Sequence, residues 1–196
     1  MVTTKQFKPN IFSMKGFSKK MVEEHLKLYQ GYVNKYNEIT EKLTHLTDDD
    51  YAKANQTYSM IRELKVELSF AWNGIVNHEL YFSHLGGNGE TPKGTLTNQI
   101  KKDFGSMELF KKDLKATAMA ARGWVWTGWN ERTKTLFNYV SDAHNLYSLF
   151  EVTPILMLDT YEHAYFMDYG SVRGAYVDAF LNNLDWSIVR KNFESV

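Results

Sequence analysis

Apolar positions in the first part of the chain recur at helical spacing. In "FSKKMVEEHLKLYQGYVNKYNEITEKLTHL", Met21, His25, Leu28 and Tyr32 fall on one stripe, and Ser18 stands where an N-cap belongs. "DDDYAKANQTYSMIRELKVELSFAWNGIVNHELYFSHL" reads as a second long helical stretch, with acidic residues at its N-terminal, dipole-positive end. Together the two predict a helical hairpin. Gly and Pro then cluster in "GGNGETPKG", the best linker candidate, which divides the chain into units 1–86 and 87–196.

The pattern changes in the second unit. "TLTNQIKKDFGS" and "SMELFKKDLKATAMAA" read as short helices, the first closed by Gly105 and the second opened by Ser106. "GWVWTGW", "TLFNYVSD" and "TPILMLD" are aromatic and β-branched, with the polar turn "NERTK" between the first two, and read as three strands. "GAYVDAFLNNLDWSIVRKNFESV" returns to helix. The predicted class is α+β: an N-terminal long helical hairpin packed on a C-terminal domain of helices around a three-stranded antiparallel sheet.

Composition narrows the function. The chain has 23 basic and 23 acidic residues, so no global field favours nucleic acid or an anionic membrane. No run approaches the roughly 18 apolar residues of a membrane span. The opening "MVTTKQFKPN" lacks the apolar core of a secretory signal, which makes a cytoplasmic setting the expectation. Cysteine is absent, which excludes disulfides, iron–sulfur clusters and thiolate metal sites. Any metal must therefore be held by His, Asp or Glu, a donor set that suits Zn, Mn or non-haem Fe.

Polar groups set among apolar ones carry the chemistry. His25 lies on the apolar stripe of the first helix, His78 lies in "IVNHELYF", and His163 follows Asp159 by four residues in "DTYEHAYFMDYG". Singly, each such His is an ordinary hydrogen-bonded core residue, and Asp159 an ordinary turn former. Brought together, two helices and one strand-to-helix turn converge three neutral imidazoles and one carboxylate. That set suits Mn or Fe and leaves a position open for solvent or substrate.

The same residues carry a family resemblance. "DTYEHAY" is similar to the D-x-W-E-H-A-[YF] motif of the iron/manganese superoxide dismutases, apart from Tyr161 and with Tyr165 closing it. "NHELYF", "GETPKG", "DFGSMELFKKDL", the paired Trp124 and Trp126 of "GWVW", and "HLKLYQGYVN" resemble further segments of that family, over nearly the whole chain. The resemblance implies a superoxide dismutase with one Mn or Fe ion per subunit, bound by His25, His78, Asp159 and His163. Superoxide would alternately reduce the trivalent ion and reoxidise the divalent one. Zinc, lacking a one-electron couple, is excluded.

The resemblance also implies roles for neighbouring residues. Tyr32 is the expected gate at the channel mouth, passing protons. An amide commonly touches the metal-bound solvent; Gly74 stands where iron-type members carry Gln, so His144 or Asn145 of "SDAHNLYSL" would substitute, with His144 preferred. Glu162 is expected to reach His163 of a second subunit across a homodimer interface, the alternative being an exposed charge. Arg173 resembles an arginine near the substrate entrance, the alternative being a surface salt bridge. Tyr29, Trp124, Trp126, Tyr161, Asn145 and Tyr165 are expected around the site or at the dimer contact. His45 and His84 are left as surface or supporting residues.

Three departures from the family pattern stand out. His25 and Tyr32 are seven positions apart instead of eight, so a one-residue bulge is expected to be missing from the first helix. Tyr29 occupies a common His position, and Tyr161 replaces a Trp. The competing readings are an inactive structural relative of the family and another non-haem metal oxidoreductase.

Overall fold

The structure is a computed structural model that describes residues 1–91 and 93–196; Pro92, in the expected linker, lies outside the described residues. Helix α1 spans Lys19–Thr44 without interruption, as the short His25–Tyr32 spacing implies. Its N-terminus is capped by the Ser18 hydroxyl, which accepts from Met21 N at 3.1 Å. The buried stripe runs through Met21, His25 and Tyr29 to Val33. Leu28, expected on that stripe, is 41% exposed, while Tyr29 is 2% exposed. Both lie within a turn of His25, and the larger ring takes the inward place.

The second helical stretch is broken, not continuous. Helix α2 covers only Asp48–Ala52, and α3 starts at Met60 and runs to His84. Asn55 makes the break: its side-chain oxygen accepts from the backbone of Thr57 at 2.7 Å and Tyr58 at 3.3 Å, and Ser59 then caps α3. Helices α1 and α3 form the expected hairpin.

Helices α4 (Thr95–Phe104) and α5 (Met107–Ala120) meet at Gly105, whose φ of 87° closes α4 while Ser106 caps α5. Strands β1 (Trp124–Asn130), β2 (Thr135–Ser141) and β3 (Val152–Asp159) form a sheet in the order β2-β1-β3, antiparallel throughout. The sequence order thus puts β1 in the middle, and six of its seven residues are buried. Register pairs Trp124 with Asp159, bringing an indole and a carboxylate together at one end of the sheet.

After β3 the chain makes a 3₁₀ turn at Glu162–Ala164, a four-residue helix α6 (Phe166–Tyr169), then α7 (Arg173–Asn182) and α8 (Trp186–Glu194). Helices α3 and α8 pack on β3, while α4 and α5 pack on β2. One buried cluster runs through both parts of the chain, from Tyr29, Tyr81 and Phe82 to Trp124, Leu156, Tyr176 and Phe180. Among the described residues no helix is long and apolar enough to cross a membrane.

Candidate metal centre

Four side chains from three elements and one turn meet inside this cluster. His25 comes from α1, His78 from α3, Asp159 from the last position of β3 and His163 from the turn after it. Asp159 Oδ2 lies 3.1 Å from His25 Nε2, 3.1 Å from His163 Nε2 and 3.7 Å from His78 Nε2. One donor atom from each residue falls within 4.8 Å of all the others. Donors about 2.0–2.2 Å from a common ion stand no more than roughly 4.4 Å apart, so the contacts of Asp159 Oδ2 fall inside that range and the widest donor pair needs at most a few tenths of an ångström of closure around a single small cation.

Each group is held in the orientation this requires. His78 Nδ1 donates to Gly74 O at 2.6 Å, which leaves its Nε2 lone pair facing the cluster. Among the described residues that buried Nε2 has no hydrogen-bond partner, which leaves its lone pair available to a cation. The Asp159 carboxylate is fixed through Oδ1, which accepts from Tyr161 N at 2.9 Å.

Electrostatics point the same way. Burial pushes the Asp159 carboxyl up, but the charge and hydrogen bond of His163, and then those of His25, outweigh it and hold the group ionised. Burial drives His78 down to about 3, reinforced by the neighbouring His25. Burial also lowers His25 against the pull of Asp159, whereas at His163 the carboxylate overcomes burial and raises the imidazole. Two imidazoles lowered by burial, a third raised by the carboxylate, and the carboxylate itself make a donor set in which a bound cation would take the place of protons.

Known proteins are similar to this chain along most of its length. The family described as "Iron/manganese superoxide dismutases, C-terminal domain" matches residues 92–192. The iron superoxide dismutase of Aquifex pyrophilus is 45% identical over 185 residues, covering 93% of this chain and 86% of that protein. That of Methanothermobacter thermautotrophicus is 36% identical, covering 88% and 83%. A manganese superoxide dismutase of Halobacterium salinarum is 33% identical, covering 85% and 80%. The chain belongs to the iron/manganese superoxide dismutase family.

Around the ligands, this dismutase-family chain builds a hydrogen-bonded line. Trp124 Nε1 donates to His144 Nδ1 at 2.9 Å, and His144 Nε2 lies 2.7 Å from Tyr32 Oη. An indole N–H can only donate, so Nδ1 must be the acceptor and neutral His144 carries its proton on Nε2, directed at the phenol. Burial pushes the His144 imidazole down to about 4, so it is neutral near pH 7. The Tyr32 phenol is pushed up, first by burial and then by the Asp159 charge. Of the two loop residues, His144 is therefore the one at the site. Asn145 instead donates to Ser69 Oγ at 2.7 Å on the surface side.

The other expected neighbours take up varied positions. Tyr161 is stacked 5.2 Å from His163 and edge-on to Trp124. Trp126 packs edge-on against its β2 register partner Tyr139. Tyr29 donates to Glu79 Oε1 and accepts from Lys5 N, both at 2.9 Å, tying the N-terminal segment to α3. Tyr165 accepts from Arg173 Nε at 3.1 Å and stacks on Tyr176. Arg173 also donates to Ala121 O at 2.7 Å and Ala118 O at 3.3 Å, satisfying carbonyls at the end of α5. Glu162 is exposed. His45 is exposed, and His84 is fully buried, accepting from Met157 N and lying beside Asn192.

Three contributors escaped the sequence reading. Tyr176 donates from its hydroxyl to Asp159 O at 2.8 Å, with Tyr81 Oη 3.0 Å away. Phe70 packs on His144 at 4.6 Å. Asn77 donates to His144 O at 3.3 Å, holding the loop that carries the imidazole. Asn77 precedes His78 inside a quoted motif and was legible in principle; Tyr176 and Phe70 look like any helix-face aromatic.

Proposed function

We propose that the chain disproportionates superoxide into dioxygen and hydrogen peroxide, with one Mn or Fe ion per subunit held by His25, His78, Asp159 and His163. The convergence of three imidazole Nε2 atoms on Asp159 Oδ2, one of them buried with no other partner, carries this reading. When bound, the ion supplies a one-electron couple that takes an electron from one superoxide and gives it to the next. Relatives named for iron and for manganese both align with the chain, which supports activity with either ion.

The chain's own task is to supply protons and exclude bulk water. Peroxide forms only when the reduced dioxygen unit takes up two protons. Tyr32 accepts the His144 Nε2–H, so its own hydroxyl hydrogen is turned away from His144 and is free for an anion or solvent in the site. Its ring is only partly buried, which lets solvent replenish that proton. Tyr81 and Phe82 pack on His25 at 5.1 and 4.9 Å and close the apolar side.

The homodimer belongs to the same reading. Exposed Glu162 sits beside a His163 side chain that keeps 28% of its surface, next to Phe166 and Met167 at 54% and 50% exposure. Exposed apolar side chains and the Glu162 carboxylate near a partly open candidate-ligand imidazole support a contact in which Glu162 of each copy bonds His163 of the other. Arg173 offers a cation for an approaching anion, although its carbonyl contacts support a bracing role equally. Because His25 and His78 come from the 1–86 unit and Asp159 and His163 from 87–196, the ion would also clamp the two proposed units together. The deciding experiment measures superoxide removal separately on iron-loaded and manganese-loaded protein, with metal content determined for each. Full occupancy without turnover would favour another metal oxidoreductase, and failure to take up either ion would favour an inactive scaffold.

A further inference from the structure

We propose that Gly74 is a positioning residue for the reaction: the Tyr32 ring lies in the space its missing side chain leaves, and this seat sets the reach of the phenol to His144. The inference rests on the dismutase reading above. Gly74 is buried within α3, where glycine is the least favourable residue short of proline. A Cβ built on it would stand 2.8 Å from both Cγ and Cδ1 of Tyr32 and 3.2 Å from Cδ2. These atoms are the base of a rigid ring and cannot bend aside like the tip of a flexible chain.

The short first-helix spacing explains the demand. Seven residues at about 100° each fall roughly 20° short of two full turns, so Tyr32 stands on nearly the same side of α1 as His25. Its ring is thereby brought against the α3 backbone, 5.4 Å from the ring of His78. Carbon atoms pack at about 3.5–4.0 Å, so a methyl group at position 74 would drive the ring back by about 1 Å. The hydroxyl lies farther from the hinge than Cγ and moves at least as far, breaking a 2.7 Å contact with His144 Nε2. Alanine keeps the Gly74 carbonyl that orients His78, so the substitution alters the seat and leaves that support in place.

The test is a double-mutant cycle on metal-loaded protein of matched metal content: wild type, Gly74→Ala, Tyr32→Ala and the double variant. With Tyr32 present, Gly74→Ala lowers kcat by about tenfold or more, lowers kcat/KM less, and lowers Tm. With Tyr32→Ala, the same change leaves kcat within about twofold and raises Tm, because the seat is empty and alanine is the better helix former. A crystal structure of Gly74→Ala shows the Tyr32 Oη–His144 Nε2 contact opened. Unchanged kcat in Gly74→Ala, an equal fractional loss in both backgrounds, or a Tm shift of one sign in both overturns the proposal. A Gly74→Ala protein that folds only when Tyr32 is also removed supports it; failure to fold in both backgrounds overturns it. Wild type inactive with either metal would refute the dismutase reading, while the sign of the Tm shifts would still decide the seat.

Discussion

Replacing His144 by Leu tests the hydrogen-bonded line to Tyr32 directly. The side chain is 2% exposed and both ring nitrogens are engaged, Nδ1 by Trp124 Nε1–H and Nε2 by Tyr32 Oη. Leucine has similar bulk, so the cavity contribution is small and the loss is polar. Trp124 is fully buried, and its N–H would be left without an acceptor, costing about 1–3 kcal/mol. Tyr32 is partly exposed and can turn to water, which adds little. The expected loss is about 2 kcal/mol, or roughly 4–8 °C in Tm for a chain of this size. His144→Gln offers one acceptor and one donor and should recover most of that stability. Thermal unfolding and superoxide-consumption kinetics on metal-loaded protein read both consequences. kcat is expected to fall in the Leu variant and to be largely kept in Gln. A Leu variant with wild-type Tm and wild-type kcat would refute the assigned line.

Three shorter predictions concern the supports. Tyr176→Phe removes the donor to Asp159 O and the neighbour of Tyr81 Oη, and is expected to cost about 1–2 kcal/mol in urea unfolding and to weaken metal retention against a chelator. His84, pushed down by burial from 6.5 to about 4, stabilises the fold fully above pH 6.5 and loses that contribution as pH falls towards 4. This is roughly 3 kcal/mol across the window, so His84→Gln should flatten the acid limb of the stability curve relative to wild type. Glu162→Ala is expected to shift sedimentation towards monomer at low protein concentration and to lower metal content; an unchanged dimer would reject the cross-subunit contact.

The four candidate ligands were legible only as a set: each alone reads as an ordinary core His or turn Asp, and the resemblance carried by "HLKLYQGYVN", "NHELYF" and "DTYEHAY" joined them. The helix break at Asn55 was not, because a run of helix-compatible residues on both sides conceals one side chain that caps the turn between them. His144 was preferred to Asn145 on the resemblance alone, since adjacent loop residues differ only in which one the Trp124 indole meets, and that depends on the pairing of β1 with β2, which sets Trp124 opposite Ser141 at the start of the loop.

Two features that looked independent in sequence are joined in space. The seven-residue gap between His25 and Tyr32 belongs to α1, and the glycine four residues before His78 belongs to α3. In the folded chain they are the two sides of one contact, because the earlier tyrosine presses its ring on the helix opposite and only a residue without a side chain admits it. A spacing on one helix therefore constrains residue type on another. A chain with the shorter gap and a bulky residue at position 74 would have to give up either the Tyr32–His144 contact or the close approach of α1 to α3.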